Sequence, residues 1–190
     1  MADFAGRKAE VAMVTASAMR GEIDWSESLR RRVKCLAGLD AGSLARVYDE
    51  RLRFNRGAEK LLAAAKGNGV KTLLVSGGFT YFTDRVRDKL GFDYAYSNDL
   101  DIQDAKLTGT VSGPLVDAAG KAAHVVRICK DLGLARERVI AIGDGANDLP
   151  MMAEAGTSIA YHAKPVVKAK ADYALDFSGL DGVLGLFPAS

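Results

Sequence analysis

Asp144, Asn147 and Asp148 stand in the run Val139-Ile140-Ala141-Ile142-Gly143-Asp144-Gly145-Ala146-Asn147-Asp148-Leu149-Pro150. Two carboxylates and an amide so close together offer oxygen ligands to a hard cation such as Mg²⁺. That ion takes one or two carboxylates from a protein and fills its shell with phosphate oxygens and water. The four apolar residues ahead of Gly143 predict a buried strand. Gly143 and Gly145 allow a tight turn, and Leu149-Pro150-Met151-Met152 continues as a helix. The cluster therefore falls at the C-terminal end of a strand, the edge at which open α/β sheets bind ligands. An Asx-capped β-turn would account for a lone Gly-Asp-Gly, but not for the whole Gly-Asp-Gly-x-Asn-Asp run behind a buried strand.

A second run has the chemistry of an anion site. Val70 to Val75 predicts another buried strand, followed by Ser76-Gly77-Gly78 and a helix predicted over residues 80–90. A hydroxyl and glycine N–H groups at a helix N-terminus suit a phosphate. Alone, the same run is equally a plain glycine-rich strand-to-helix turn. Lys121 follows Gly120 and opens a helix through His124, Val125, Ile128 and Leu132. Most lysines are simply solvated, but one at the mouth of a phosphate site would neutralise charge there and steady a carboxylate. His124 reads as a surface residue, and His162 lies in a loop.

The first fifty residues are helical in pattern. Val11, Val14 and Ala18 share one face, and Gly21 ends that run. Trp25, Leu29, Val33 and Leu36 form the next face, and Leu44, Val47 and Leu52 a third. Within Arg30-Arg31-Arg32, Arg32 shares the face of Trp25 and Leu29. A guanidinium on an apolar face needs an anionic partner. A bound carboxylate would fit it with two parallel hydrogen bonds, and a structural ion pair would serve as well. Asp99, Asp101 and Asp104 lack the glycine and glutamate spacing of a calcium loop. Residues 100–111 read instead as a hairpin turning at Gln103 to Lys106.

These segments resemble the haloacid dehalogenase superfamily of phosphatases and, within it, the phosphoserine phosphatases. The resemblance rests on the Gly143-to-Pro150 run, on Leu74-Val75-Ser76-Gly77-Gly78-Phe79, on Asp104-Ala105-Lys106-Leu107-Thr108-Gly109 and on Ser28-Leu29-Arg30-Arg31-Arg32-Val33. They occur in the family's order over nearly the whole chain. The resemblance implies an α/β fold, a Rossmannoid parallel sheet with a small helical cap, with the cap over 1–54 and the core over 55–190. It implies hydrolysis of O-phosphoserine to serine and phosphate, the last step of serine biosynthesis, through an aspartyl-phosphate with Mg²⁺ as cofactor. In that reading Asp144 binds the metal and Asp148 supports it from one shell out. Ser76 and Gly77 hold the phosphoryl group, Lys121 assists catalysis, and Asn147 contacts substrate. Arg32 takes the substrate carboxylate, and Met19 and Trp25 pack around it, the latter where the family usually has Phe.

One signature is not found. The family's Asp-x-Asp-x-Thr, which supplies the nucleophile and the general acid/base, does not occur in the 190 residues. Asp3 has two residues before it, Asp99 and Asp101 belong to the hairpin, and Asp93 precedes its strand. The expectation is therefore a sheet without its first, central strand. The favoured reading is a truncated phosphoserine phosphatase, inactive alone. The alternatives are a pseudoenzyme binding a phosphorylated amino acid or Mg²⁺, and a phosphotransferase relative.

Composition sets the remaining bounds. A length of 190 residues, 48% hydrophobic and 26% charged, suits one globular domain with a small subdomain. A net charge of +2 is too small to argue for nucleic acid, and no nucleic-acid partner is expected. No apolar run approaches the roughly 20 residues of a membrane span. Cys35 and Cys129 have neither metal nor disulfide spacing, so a reducing cytoplasm is expected. The expected partner is a small-molecule substrate, and the sequence leaves a homodimer open.

Overall fold

A computed structural model of the chain describes residues 1–186. By proximity along the folded backbone it divides into two compact units. One comprises residues 1–53, 77–84 and 97–115, and the other residues 54–76, 85–96 and those from 116 onward. The cap and core expected from sequence met at residue 54. The structure instead groups residues 77–84 and the hairpin with the helical segment.

The first unit carries α1 (Lys8–Met19), α2 (Trp25–Lys34) and α3 (Gly42–Arg51). Asp24 caps α2 by accepting the Glu27 N–H, as an N-cap carboxylate should. Leu29 and Val33 are buried along one face of α2, which packs on β3 (Lys106–Ser112). Strand β2 (Tyr94–Gln103) runs antiparallel to β3, with Gln103 opposite Lys106. The two turn residues, Asp104 and Ala105, have φ of 50° and 58°. They make the mirror-image turn that matches strand twist, although neither is glycine. Gly109 has φ of 88°, and a Cβ there would lie 2.8 Å from the Ala37 Cβ. Only glycine lets the hairpin approach the end of α2 so closely. Leu36, Leu44 and Leu107 form the core, with Leu39, Tyr81, Phe82 and Leu100 against it.

The second unit holds α4 (Ala58–Gly67), α6 (Ala118–Asp131), β4 (Ile140–Gly143), α7 (Leu149–Ala153), β5 (Thr157–Tyr161), α8 (Pro165–Lys168) and β6 (Tyr173–Leu175). Strands β4, β5 and β6 are parallel, with Ile142 beside Ile159 and Ala160 beside Ala174. Ala141, Ala160, Met151, Met152, Val125 and Val167 fill the core, and Leu73 and Val75 pack against it. Small side chains on β4 and β5 bring α6 and α7 close to the sheet, which places the start of both helices beside the end of β4. Among the described residues no helix is long and apolar enough to cross a membrane.

Strand β1 (Leu73–Phe79) and helix α5 (Thr80–Leu90) have residues in both units. The strand begins later than the expected Val70 and continues through Ser76-Gly77-Gly78, so this run is strand and not the loop after one. Glycines read as turn-formers were kept extended by their place in a sheet. The strands form two three-membered sheets, ordered β1-β2-β3 and β4-β5-β6, with β1 and β4 each at an end. This is the mixed α/β architecture expected. Strand β4 is less covered than its apolar sequence predicts, because Ile140 is 42% exposed. A 3₁₀ helix, Leu180–Leu186, follows β6.

Candidate active site

The site is built where β4 ends. A Cβ on Gly143 would lie 2.5 Å from the Asp148 Cβ and 3.0 Å from the Met152 sulfur, so no side chain fits there. The chain then passes Asp144 and Gly145 into a 3₁₀ turn, Ala146–Asp148, and on into α7. Asp148 folds back on this loop. Its Oδ2 accepts the backbone N–H of Asp144 at 3.1 Å and of Gly145 at 3.0 Å. Its Oδ1 receives Lys121 Nζ at 2.6 Å. Asp148 and Lys121 are only 5% and 7% exposed.

Electrostatics follow from that pairing. Burial pushes the Asp148 carboxyl up, but the Lys121 ammonium and the two loop N–H groups outweigh it and hold the group below the usual carboxylate range. Asp148 is thus an ionised carboxylate already engaged by three donors. Lys121 is held at the start of α6, where Asp117 caps the helix by accepting the Gly120 N–H at 2.8 Å. Asp144 and Asn147 remain exposed. The Asp144 carbonyl accepts the Lys164 N–H at 3.3 Å, so its backbone is fixed while its carboxylate faces outward. This donor set would suit a hard divalent ion: Asp144 could offer one anionic oxygen, and such an ion takes its other ligands from phosphate and water. Among the described residues no group of three or more His, Cys, Asp or Glu side chains gathers, which is unlike a structural zinc site.

The remaining residues singled out from sequence lie elsewhere on the chain. Ser76 and Gly77 are inside β1. Arg32, in α2, is half-buried and donates from Nε to the Ser28 carbonyl at 3.2 Å. Burial pulls its pKa below the usual guanidinium value, and among the described residues no carboxylate lies within ion-pair distance of it. Trp25 opens the same helix and is partly covered. Met19 ends α1 and is 76% exposed. The structure therefore brings Asp144, Asn147, Asp148 and Lys121 into one cluster and puts Arg32 and Trp25 on one helix.

Residues 3–153 match the haloacid dehalogenase-like hydrolase family. The chain is a member of that family. It is 53% identical to the phosphoserine phosphatase of Polaromonas sp., over 98% of this chain and 81% of that protein. It is 50% identical to the phosphoserine phosphatase of Albidiferax ferrireducens, with the same coverage. Among solved structures, the probable phosphoserine phosphatase of Vibrio cholerae superposes with a TM-score of 0.90 at 45% identity, over 96% of this chain and 56% of that one. A substrate-bound phosphoserine phosphatase superposes with a TM-score of 0.90 at 36% identity, over 98% and 89% of the two chains.

Two polar features of this haloacid dehalogenase-like hydrolase escape a reading of its sequence. Asn98, only 1% exposed, donates from Nδ2 to the carbonyls of Gly77 and Gly78, each at 3.2 Å. A lone Asn in an alternating strand pattern gives no sign of this. His124 is not a plain surface residue. It stacks on Tyr96 with ring centroids 4.3 Å apart, and Arg127 lies over the same Tyr96 ring at 4.5 Å. Burial first, then the Arg127 charge, lowers the His124 pKa.

Proposed function

We propose that this hydrolase acts on O-phosphoserine, releasing serine and phosphate. The observation that carries the reading is the buried Lys121–Asp148 pair that pins the Asp144 and Gly145 N–H groups at the end of β4. A buried ion pair is an expensive way to hold a loop, and here it leaves the Asp144 carboxylate outward on a fixed backbone. The 53% identity to a phosphoserine phosphatase supports the substrate.

Each residue then has a task. Asp144 would hold Mg²⁺, which neutralises phosphoryl oxygens when bound. Asp148 keeps the loop in shape and fixes Lys121, whose charge offsets that of a phosphate dianion. Ser76, Gly77 and Asn147 contact the substrate. The 1–54 segment serves as the cap, in which Arg32, with no carboxylate in ion-pair distance among the described residues, receives that of the substrate while Met19 and Trp25 cover its apolar stem. The core is residues 55–190. Cys35 and Cys129 are both free thiols, in keeping with a cytoplasmic setting.

Hydrolysis in this family requires an aspartate oxygen to attack phosphorus as the seryl oxygen leaves with a proton. Neither Asp144, assigned to the metal, nor Asp148, engaged by Lys121, is available to do so. In this reading the 190 residues carry the phosphate-binding, metal-binding and carboxylate-binding parts of the reaction. The test measures Mg²⁺-dependent phosphate release from O-phosphoserine by the chain fused to an upstream Asp-x-Asp-x-Thr strand, with and without Asp144→Asn. Turnover abolished by Asp144→Asn supports the assignment. No turnover by a folded fusion, or equal turnover with Asp144→Asn, overturns it.

A further inference from the structure

Lys121 occupies a place in α6 that does not favour it. It lies in the first turn, at the positive end of the helix dipole, where a cation is disfavoured. Gly120 precedes it and weakens the turn, since glycine is a poor helix former. The other two residues of that turn are Ala118 and Ala119, so it has no acidic side chain of its own. The Lys121 ammonium is nonetheless buried against Asp148. Unwinding one turn would return it to water and recover its hydration. Asp117 keeps the turn wound from two groups. Its Oδ1 accepts the Gly120 N–H at 2.8 Å, and its carbonyl accepts the Lys121 N–H at 2.9 Å. The bonds then continue from Lys121 Nζ to Asp148 Oδ1, and from Asp148 Oδ2 to the N–H groups of Asp144 and Gly145. All of these residues belong to one compact unit.

We propose that Asp117 is a positioning residue: by capping α6 it seats Lys121 on Asp148 and, through Asp148, sets the loop that presents Asp144. The proposal rests on the phosphatase reading for what that loop does, and on the hydrogen bonds alone for how it is held. In Asp117→Ala the Gly120 N–H loses its acceptor and the first turn frays. Lys121 then leaves for solvent, and Asp148 keeps only the two loop N–H groups. A buried carboxylate without its cation is costly, so Asp148 moves toward water and the N–H groups of Asp144 and Gly145 lose their acceptor. Serine caps a helix about as well as aspartate, so Asp117→Ser retains the arrangement.

The experiment measures backbone amide hydrogen exchange by ¹⁵N–¹H spectroscopy on the full 190-residue chain, at a temperature where each variant is folded by its thermal melt. The signals are those of Gly120, Lys121, Asp144 and Gly145, each referred to Ile159 and Ala160, which are buried in β5. In Asp117→Ala the protection of all four, relative to the two β5 amides, is expected to fall about fivefold or more, the typical worth of an N-cap. Asp117→Ser is expected to restore it. A cap of merely structural importance would lower the melting temperature and the Gly120 and Lys121 protection, but leave Asp144 and Gly145 unchanged relative to β5. That result overturns the proposal. So does a loss at Asp144 and Gly145 that Asp117→Ser fails to restore. If Asp117→Ala does not fold, Asp117→Gly, a milder loss of the cap, decides by the same signals. The measurement uses neither substrate nor metal, so its failure leaves the phosphatase reading standing, and the turnover test of that reading leaves this one untouched.

Discussion

Lys121 Nζ lies 2.6 Å from Asp148 Oδ1, and both side chains are buried. The pair couples the start of α6 to the loop after β4, so its removal is a local test of what shapes the site. Lys121→Met leaves a buried carboxylate without its cation, which costs on the order of 3–5 kcal/mol. For a chain of this size the melting temperature is expected to fall by about 10 °C or more. Asp148 in wild type is held below the usual carboxylate range, so its contribution is present above that range and lost as pH falls through its folded pKa. In Lys121→Met the burial is no longer outweighed by the ammonium, and the carboxyl rises. The stability deficit of the variant should therefore shrink as pH is lowered toward about 5. Thermal melts of both proteins across pH check this, and a deficit independent of pH would contradict it.

Arg32 is half-buried in α2 and bonded only to a backbone carbonyl among the described contacts. If it receives a substrate carboxylate, Arg32→Lys keeps the charge and loses the two-pronged geometry. In the fusion that carries an Asp-x-Asp-x-Thr strand, kcat/KM for O-phosphoserine should drop about tenfold or more, the equivalent of roughly 1.5–3 kcal/mol for a charge-assisted pair. Activity on a phosphate ester without a carboxylate, such as phosphoethanolamine, should change little. Equal losses on the two substrates would make Arg32 structural.

The parts legible in the sequence were those written in glycine spacing and apolar runs. Gly143 and Gly145 flank Asp144 because a Cβ at either would collide with Asp148 or Asn147, and that constraint is local. The hairpin was equally plain, since Leu100 and Leu107 alternate with polar neighbours about a short turn. Ser76-Gly77-Gly78 misled because glycine permits a turn without requiring one, and the run lies in β1 with the Asn98 amide donating to the Gly77 and Gly78 carbonyls from about twenty residues away. The Tyr96–His124 stack joins residues from different elements, and no spacing rule links them. The division at residue 54 could not anticipate that Tyr81, Phe82 and Leu107 share a core with Leu36 and Leu44.

His124 offers a test of that stack. Its pKa is lowered chiefly by burial and further by Arg127, so the fold prefers the neutral imidazole. The stabilisation is complete above the ordinary histidine range and is lost as pH falls through it toward the folded pKa. His124→Phe keeps the face against Tyr96 and removes the titration. Urea midpoints at about pH 7.5 and about pH 5.5 are expected to differ more in wild type than in His124→Phe. Identical pH dependence in the two proteins would remove His124 as the source.

The end of the second sheet leads to the last prediction. Among the described residues β4 has β5 as its one neighbouring strand. An edge without a neighbour is the condition under which strands recruit another strand. Nearby apolar groups add to the tendency, for Ile140 on β4 is 42% exposed. A strand set beside this edge would bury about four side chains at about 1.5–3 kcal/mol each, roughly 6–12 kcal/mol together. That is comparable to the whole stability of a domain, about 5–15 kcal/mol. The 190-residue chain made alone is therefore expected to be marginally stable and to self-associate in a concentration-dependent way. Sedimentation velocity over a concentration series reads the association, and a thermal melt reads the stability. Fusing an upstream strand of the family's Asp-x-Asp-x-Thr type should raise the melting temperature and suppress association together, if that segment pairs with the β4 edge and covers the apolar surface beside it. A monomer at high concentration with a sharp, cooperative melt, unchanged by the added strand, would show that the β4 edge is already covered.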